Sequence, residues 1–258
     1  MRVAFVGYDA FYSCLAALAE NCTVLRIFTF PTDNVYEFNH RVIAYARTHR
    51  IPWTDQPITS LDLDALAAER CDFLFCSGYV YRIPNHSTLR MVNLHPSPLP
   101  IGRGPWPMPI TILHGDTESA VTVHKIVREL DAGDILLQHR FPIAEDETLE
   151  SLMEKISTHS AEAVHVLTEQ FDPLYENAVP QEKGEYWPEP TDGERTVRET
   201  MSPEQADRIL RAFYGYGCFY RGETILRGRL VSHRPETTYR RFQNMYIKIE
   251  DSLGLEKI

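Results

Sequence analysis

The chain has 258 residues, 43% hydrophobic, 11% aromatic and 24% charged, ordinary values for a globular protein that exclude disordered and collagen-like classes. Lys and Arg number 26 against 36 Asp and Glu, a formal charge of −10, which disfavours general nucleic-acid binding because phosphate neutralisation needs clustered cations. Cys14, Cys22, Cys71, Cys76 and Cys218 form no CxxC pair, and no window holds the ~20 apolar residues of a membrane span, so reduced thiols and a cytoplasmic enzyme are expected.

Residues 2–7 read as a short buried strand ending in glycine, followed by a helix over 11–20 with Leu15, Leu18 and Ala19 at helical spacing. The N-terminus lacks the apolar stretch of a signal peptide and reads as the first strand of the fold. A strand over 23–30, helices over 36–48 and 61–69, and apolar strands over 73–76 and 91–95 continue the alternation. This order predicts an α/β, Rossmann-like, doubly wound and mostly parallel sheet, in which ligands gather beyond the C-terminal ends of the strands. The turn after the first strand, GYDAF, is not the GxGxxG dinucleotide fingerprint, and GxxxxGK[ST] is absent, which counts against nicotinamide, flavin and NTP roles.

Further on, 121–127 alternates as a strand with Thr122 and His124 on one face, and 135–141 makes another after the turn LDAGD. A long helix spans 147–170, and the proline-rich, charged stretch 172–195 has linker composition. The expected division is a catalytic domain over 1–185 and a small C-terminal helix-plus-strand subdomain over 186–258. The latter opens with an N-cap at Ser202, Pro203 at the first helical position and a helix to 213, then strands over 224–231 and 245–250. Six arginines between 221 and 241 form the most basic stretch, read chiefly as a solvated face.

The richest segment is VNLHPSPLPIGRG, residues 92–104: three prolines and two glycines stop regular structure just past a strand end. Asn93 and His95 stand two apart on that strand, so an amide and an imidazole share one face and could together stabilise charge on an acyl oxygen. From spacing alone a structural histidine is the commoner outcome, and Asp131 and Asp134 in LDAGD read equally as an acidic turn.

Together, VNLHPSPLPIGRG, HGDTESAVTVHKIVRELDAGDILLQ and the upstream FLFCSGYVYRIP resemble the folate-dependent formyltransferase family, which includes methionyl-tRNA, glycinamide ribonucleotide and nucleotide-sugar formyltransferases. The resemblance covers about residues 73–160. It implies 10-formyltetrahydrofolate as formyl donor, no metal, and a catalytic trio of Asn93, His95 and Asp131, with Asn93 and protonated His95 holding the oxyanion and Asp131 orienting His95. It also implies a pterin-covering loop at Gly78, Tyr79, Val80, Tyr81, Arg82, Ile83 and Pro84, with Leu130 on the other side. Ser97 and Arg103 match family positions in the loop after the histidine, where substrate contact and loop stabilisation are both open, and Trp106 is a candidate for the acceptor pocket. His124 is expected in a core or supporting role.

Two departures, Ser97-Pro98-Leu99-Pro100 for Ser-Leu-Leu-Pro and Ser119-Ala120 for Thr-Gly, bear on acceptor specificity or loop conformation. The region after 186 resembles the first strands of the C-terminal module of the tRNA enzymes and then stops short. With the negative charge, this favours a nucleotide-linked amino sugar of surface polysaccharide (lipopolysaccharide) synthesis as small-molecule acceptor. N-hydroxyornithine or another peptide amine, methionyl-tRNA and a non-catalytic folate-binding module are the alternatives. A homodimer is expected from an undersized C-terminal sheet with an apolar edge, and no membrane association is expected.

Overall fold

The computed structural model of the protein describes residues 1–250. In chain order the first half contains β1 (Arg2–Gly7), α1 (Tyr12–Asn21), β2 (Thr23–Phe28), α2 (His40–His49), β3 (Trp53–Thr54), α3 (Ser60–Ala68), β4 (Phe73–Ser77), β5 (Met91–His95) and β6 (Ile101–Arg103). Next come α4 (Pro107–His114), β7 (Glu118–Lys125), β8 (Ile135–Pro142), α5 (Leu149–Glu169), α6 (Phe171–Glu176) and β9 (Glu185–Tyr186). The remainder holds β10 (Thr196–Val197), α7 (Pro203–Ala212), β11 (Cys218–Tyr220), β12 (Glu223–Ile225), β13 (Gly228–Val231), β14 (Tyr239–Phe242) and β15 (Met245–Ile249). Two compact units result. One comprises Met1–Gly104, Ala120–Phe141 and Glu154–Tyr186; the other comprises Pro105–Ser119, Pro142–Met153 and the described residues from Trp187 to Glu250.

The first unit is built on a seven-stranded sheet of order β3-β2-β1-β4-β5-β7-β8. Pairs β2/β3, β1/β2, β1/β4 and β4/β5 are parallel and β5/β7 is antiparallel, so the sheet is the expected mostly parallel, doubly wound one. Strand alternation sends Ala4, Val6, Leu74, Cys76 and Met91 into one cluster with Ile58, Leu63 and Leu66. Phe5 and Phe75, the odd partners of that alternation, stack with centroids 6.5 Å apart, and Phe73 stacks on Phe171 at 4.1 Å. Each fully buried phenylalanine contributes roughly 1.5–3 kcal/mol. The parallel strands bring the ends at Gly7, Ser77 and His95 to one edge, where the loop after β5 leaves the sheet.

Several elements differ from expectation, among them short strands such as β3, β6, β11 and β14 that the pattern did not predict, and β7, which begins at Glu118 instead of 121. The second helix starts at His40 instead of 36, because the Asp33 carboxylate accepts the N–H groups of Val35, Tyr36 and Glu37 and holds that segment in a turn. The predicted strand over 224–231 is two, β12 and β13, broken at 226–227. The 172–195 stretch is also partly ordered, with α6, β9 and the buried Trp187.

In the second unit α7 has the predicted cap: Ser202 accepts from Gln205 N at 3.3 Å, and Gln205 Oε1 accepts from Ser202 N at 3.0 Å. Its apolar stripe, Ala206, Ile209, Leu210 and Ala212, packs on α4 and β13. Two small sheets follow, β10-β11-β12 and β13-β15-β14.

Four of the six arginines of the basic stretch pair with glutamates. Arg221 pairs with Glu199, Arg227 with Glu150, Arg229 with Glu250 at 3.4 Å and Arg240 with Glu223 at 2.6 Å. Arg234 lies over the Tyr239 ring at 5.2 Å, and Arg241 donates to Gln243 O at 3.2 Å. All five cysteines are free, and burial pushes the thiols of Cys14 and Cys218 up to about 12 and that of Cys71 up to about 11, with Cys76 and Cys22 raised too. No described helix is long and apolar enough to cross a membrane.

Candidate active site

Asn93 and His95 project from the C-terminal end of β5, and the antiparallel register with β7 sets Asn93 opposite His124 and His95 opposite Thr122. The turn 131–134 joins β7 to β8. Asp131 sits there in the left-handed region, φ 53°, a conformation that Asp tolerates better than most residues. Gly133 is required by space: a Cβ there would stand 1.9 Å from Lys125 O, inside the backbone of β7. The turn is held from outside by Gln181, whose Nε2 donates to Asp131 O at 2.9 Å and to Gly133 O at 2.6 Å. Arg103 holds Gln181 in turn, its Nε and Nη2 donating to Gln181 Oε1 at 3.1 and 2.8 Å.

These constraints bring four polar side chains together. His95 Nδ1 is 3.6 Å from Asp131 Oδ2, and His124 Nε2 is 3.5 Å from Asp131 Oδ1 and 3.1 Å from Asn93 Nδ2. His95, Asp131 and His124 are buried, and Asn93 is partly exposed. Carbonyl partners assign the protons. His95 Nε2 meets Gly102 O at 2.8 Å and His124 Nδ1 meets Lys125 O at 2.9 Å; a carbonyl only accepts, so both nitrogens carry hydrogen. In the neutral rings the remaining nitrogens are then lone pairs. His124 Nε2 accepts from Asn93, and His95 Nδ1 faces Asp131 beyond hydrogen-bond range.

Burial disfavours the His95 cation and lowers its pKa, and the opposing pull of the Asp131 charge and of Gly102 O only partly offsets this. The cation invoked for His95 is therefore not its resting form. Burial also pushes the Asp131 carboxyl upward, but the His95 and His124 rings and the Gly104 N–H, 3.0 Å from Oδ2, outweigh it and hold the carboxyl below the usual range. The Asp131 carboxylate thus lies 3.6 Å from His95 Nδ1 and 3.5 Å from His124 Nε2, with Oδ2 also accepting from Gly104 N.

Other expected residues fall elsewhere. Ser97 is fully buried, and its hydroxyl donates to Ile101 O at 2.9 Å while its carbonyl accepts from Thr122 Oγ1 at 2.7 Å. Arg103 is spent on Gln181 and on Glu182 O. Trp106 lies in the second unit against Phe213 and Tyr216, at 5.8 and 4.4 Å. Of the loop 78–84, Gly78 takes a left-handed turn, Tyr79 packs against Phe30 and Tyr81, and Ile83 is buried. The Tyr79 hydroxyl accepts from Ile58 N at 3.3 Å, and burial pushes its pKa up to about 12. Val80, Tyr81 and Leu130 are exposed apolar side chains, and a groove is lined by Arg82, Ile83, Pro84, Asn85 and Arg128. Arg82 donates to Arg128 O and so links the two loops that flank that groove.

Gln181 was not legible as a site residue, since it lies in linker-like sequence. The alternation of β7 did place His124 on the face of Thr122, but only the β5/β7 register sets it beside Asn93.

Residues 57–168 match the family model described as Formyl transferase. The methionyl-tRNA formyltransferase of Lactobacillus gasseri is 31% identical over 147 residues, 55% of this chain and 47% of that protein. The chain therefore spans about half the length of that relative. Among solved structures, the N-formyltransferase from Helicobacter canadensis, in complex with folinic acid and dTDP-3-aminofucose, aligns with a TM-score of 0.70 at 17% identity over 95% of this chain and 93% of that one. A variant of HypX from Aquifex aeolicus also gives 0.70 at 17% identity, over 96% of this chain and 45% of that one. At such identity these structures establish the fold. Through residues 57–168 the chain is thus similar in sequence to the formyl transferase family, and over most of its length it shares the fold of solved N-formyltransferases.

Proposed function

We propose that the protein is an N-formyltransferase that moves a formyl group from 10-formyltetrahydrofolate to the amine of a nucleotide-linked amino sugar. The observation that carries the transfer is the convergence of Asn93, His95 and Asp131 at one strand end, in a chain whose 57–168 segment matches the formyl transferase model. The donor, when bound, supplies a formyl carbon open to attack by an amine. The exposed apolar Val80, Tyr81 and Leu130, with the groove that has Arg82 and Arg128 at its walls, suit a flat heterocycle carrying an anionic tail.

Asn93 has a second N–H beyond the one directed at His124, and that amide donor offers stabilisation to charge building on an acyl oxygen. Asp131 and His95 act as the proton acceptor: the proton lost by the attacking amine lodges between Oδ2 and Nδ1, where two acceptors already face one another. His124 keeps the Asn93 amide aimed by accepting one of its hydrogens, and Gly104 N and Gln181 keep Asp131 in place.

Two observations support a sugar nucleotide over tRNA as the acceptor. The fold is shared along 93% of the Helicobacter canadensis enzyme, which was solved with dTDP-3-aminofucose, and four of the six arginines of 221–241 pair with glutamates while Arg234 packs on a ring. Incubation with 10-formyltetrahydrofolate and a panel of nucleotide-linked 3-amino and 4-amino sugars, N-hydroxyornithine and methionyl-tRNA, followed by product mass, tests the reading. One formyl group gained by a sugar nucleotide and lost with His95→Ala supports it. Transfer to hydroxyornithine or tRNA alone overturns the acceptor, and folate binding without transfer to any amine overturns the reaction.

A further inference from the structure

On the first unit, among the described residues, His139, His159 and Glu162 form a cluster that the chemistry above does not use. Their ligand atoms lie within 4.8 Å of one another. Glu162 Oε2 stands 3.5 Å from His139 Nδ1 and 2.9 Å from His159 Nδ1. Two donors on a tetrahedral zinc ion, with bonds of ~2.0–2.1 Å, are about 3.3 Å apart, so both separations bracket the value that a shared ion requires.

The scaffold explains how the three meet. His159 and Glu162 are three residues apart on α5 and share a helical face, and His139 comes from β8. Phe141, two residues beyond His139 on the same face of β8, is buried and stacks on the His159 ring at 4.5 Å with an interplanar angle of 16°. That contact fixes the His159 imidazole. The His139 ring, 4.6 Å from it, is 41% exposed, and Glu162 is half exposed, so the cluster is open to solvent.

We propose that His139, His159 and Glu162 form a binding site for a zinc-class divalent ion, with water completing the coordination. Two imidazoles and one carboxylate are a borderline donor set that suits Zn2+ and its neighbours, whereas Mg2+ and Ca2+ take oxygen ligands. An ion held there ties β8 to α5 and so fixes the strand that begins just after the Asp131 turn.

The test uses the full chain, free of any affinity tag and stripped with a chelating resin, titrated with ZnCl2 against a chromophoric chelator and counted by elemental analysis. One zinc per chain with a micromolar dissociation constant is expected, weakened at least about tenfold in both His139→Asn and Glu162→Gln, since each removes one of three ligands. Both side chains are solvent-accessible, so the variants should keep the wild-type far-ultraviolet dichroism. Cobalt loading provides the second readout: visible bands without thiolate charge-transfer absorption are expected. Zinc binding that survives both substitutions, a thiolate band that assigns the metal to cysteine, or no binding at 100 µM Zn2+, about a hundredfold above a micromolar constant, would overturn the proposal.

Discussion

His95 gives its Nε2 hydrogen to Gly102 O and faces Asp131 through Nδ1 at 3.6 Å, so the pair is sensitive to a single proton. The folded value of His95 lies below the 6.5 of the free side chain. Above pH 6.5 the ring is neutral in both folded and unfolded chains and contributes nothing to the pH dependence. Below it the unfolded chain binds a proton that the folded chain refuses, so stability falls with pH until the folded value is passed. The slope from this one group is at most about 1.4 kcal/mol per pH unit. Asp131, held below 3.8, adds to the loss only in stronger acid. Urea unfolding of the wild type at pH 7.5 and 5.5 should show the loss, and His95→Gln should reduce it; an unchanged pH difference in the variant would mean that His95 is not buried neutral. Asp131→Asn makes the complementary test in catalysis, because Asn also tolerates φ near 53° while its amide holds no negative charge. Its kcat should fall by roughly 10²–10⁴ with the fold intact, the usual span for loss of a general base.

At the scale of elements, the turn 131–134 is held by residues outside it. Gln181 bridges its two carbonyls and Arg103 grips Gln181 from the loop after β5, so the turn and the loop carrying Gly102 and Gly104 are tied through one amide. Gln181→Ala should lower kcat about 10–100-fold with little change in acceptor KM, since a small displacement of a reacting group costs that much. Initial rates across acceptor concentration would separate this from a binding defect, which would raise KM alone. The same elements mark the limit of what was readable. Period-two spacing in VNLH put Asn93 and His95 on one face, and LDAGD marked a turn, because both are local patterns. That His124 falls opposite Asn93 depends on a one-residue choice of register, and a slip by one would have turned its ring to the opposite face. Gln181 reaches the turn from fifty residues downstream, a contact that local composition does not encode. The capped start of α7 was legible at Ser202-Pro203, whereas the late start of α2 hinged on one carboxylate, Asp33, capturing three amides.

Over the whole molecule, the net charge of −10 and the pairing of the 221–241 arginines point the same way. Retention on immobilised heparin and binding to tRNA should both be negligible at 0.15 M salt, where unpaired surface charges are screened within about 8 Å. Salt-sensitive binding to tRNA at that ionic strength would contradict it and favour the tRNA acceptor. The thiols carry a consequence of another kind. Each unit by which burial raises a thiol pKa removes nine-tenths of the reactive thiolate at a given pH, so Cys14, Cys71 and Cys218 hold only traces of it near neutrality. A single cysteine introduced on an exposed loop would react with a maleimide far ahead of these three, so a fluorescent probe can be attached there with all three left in place.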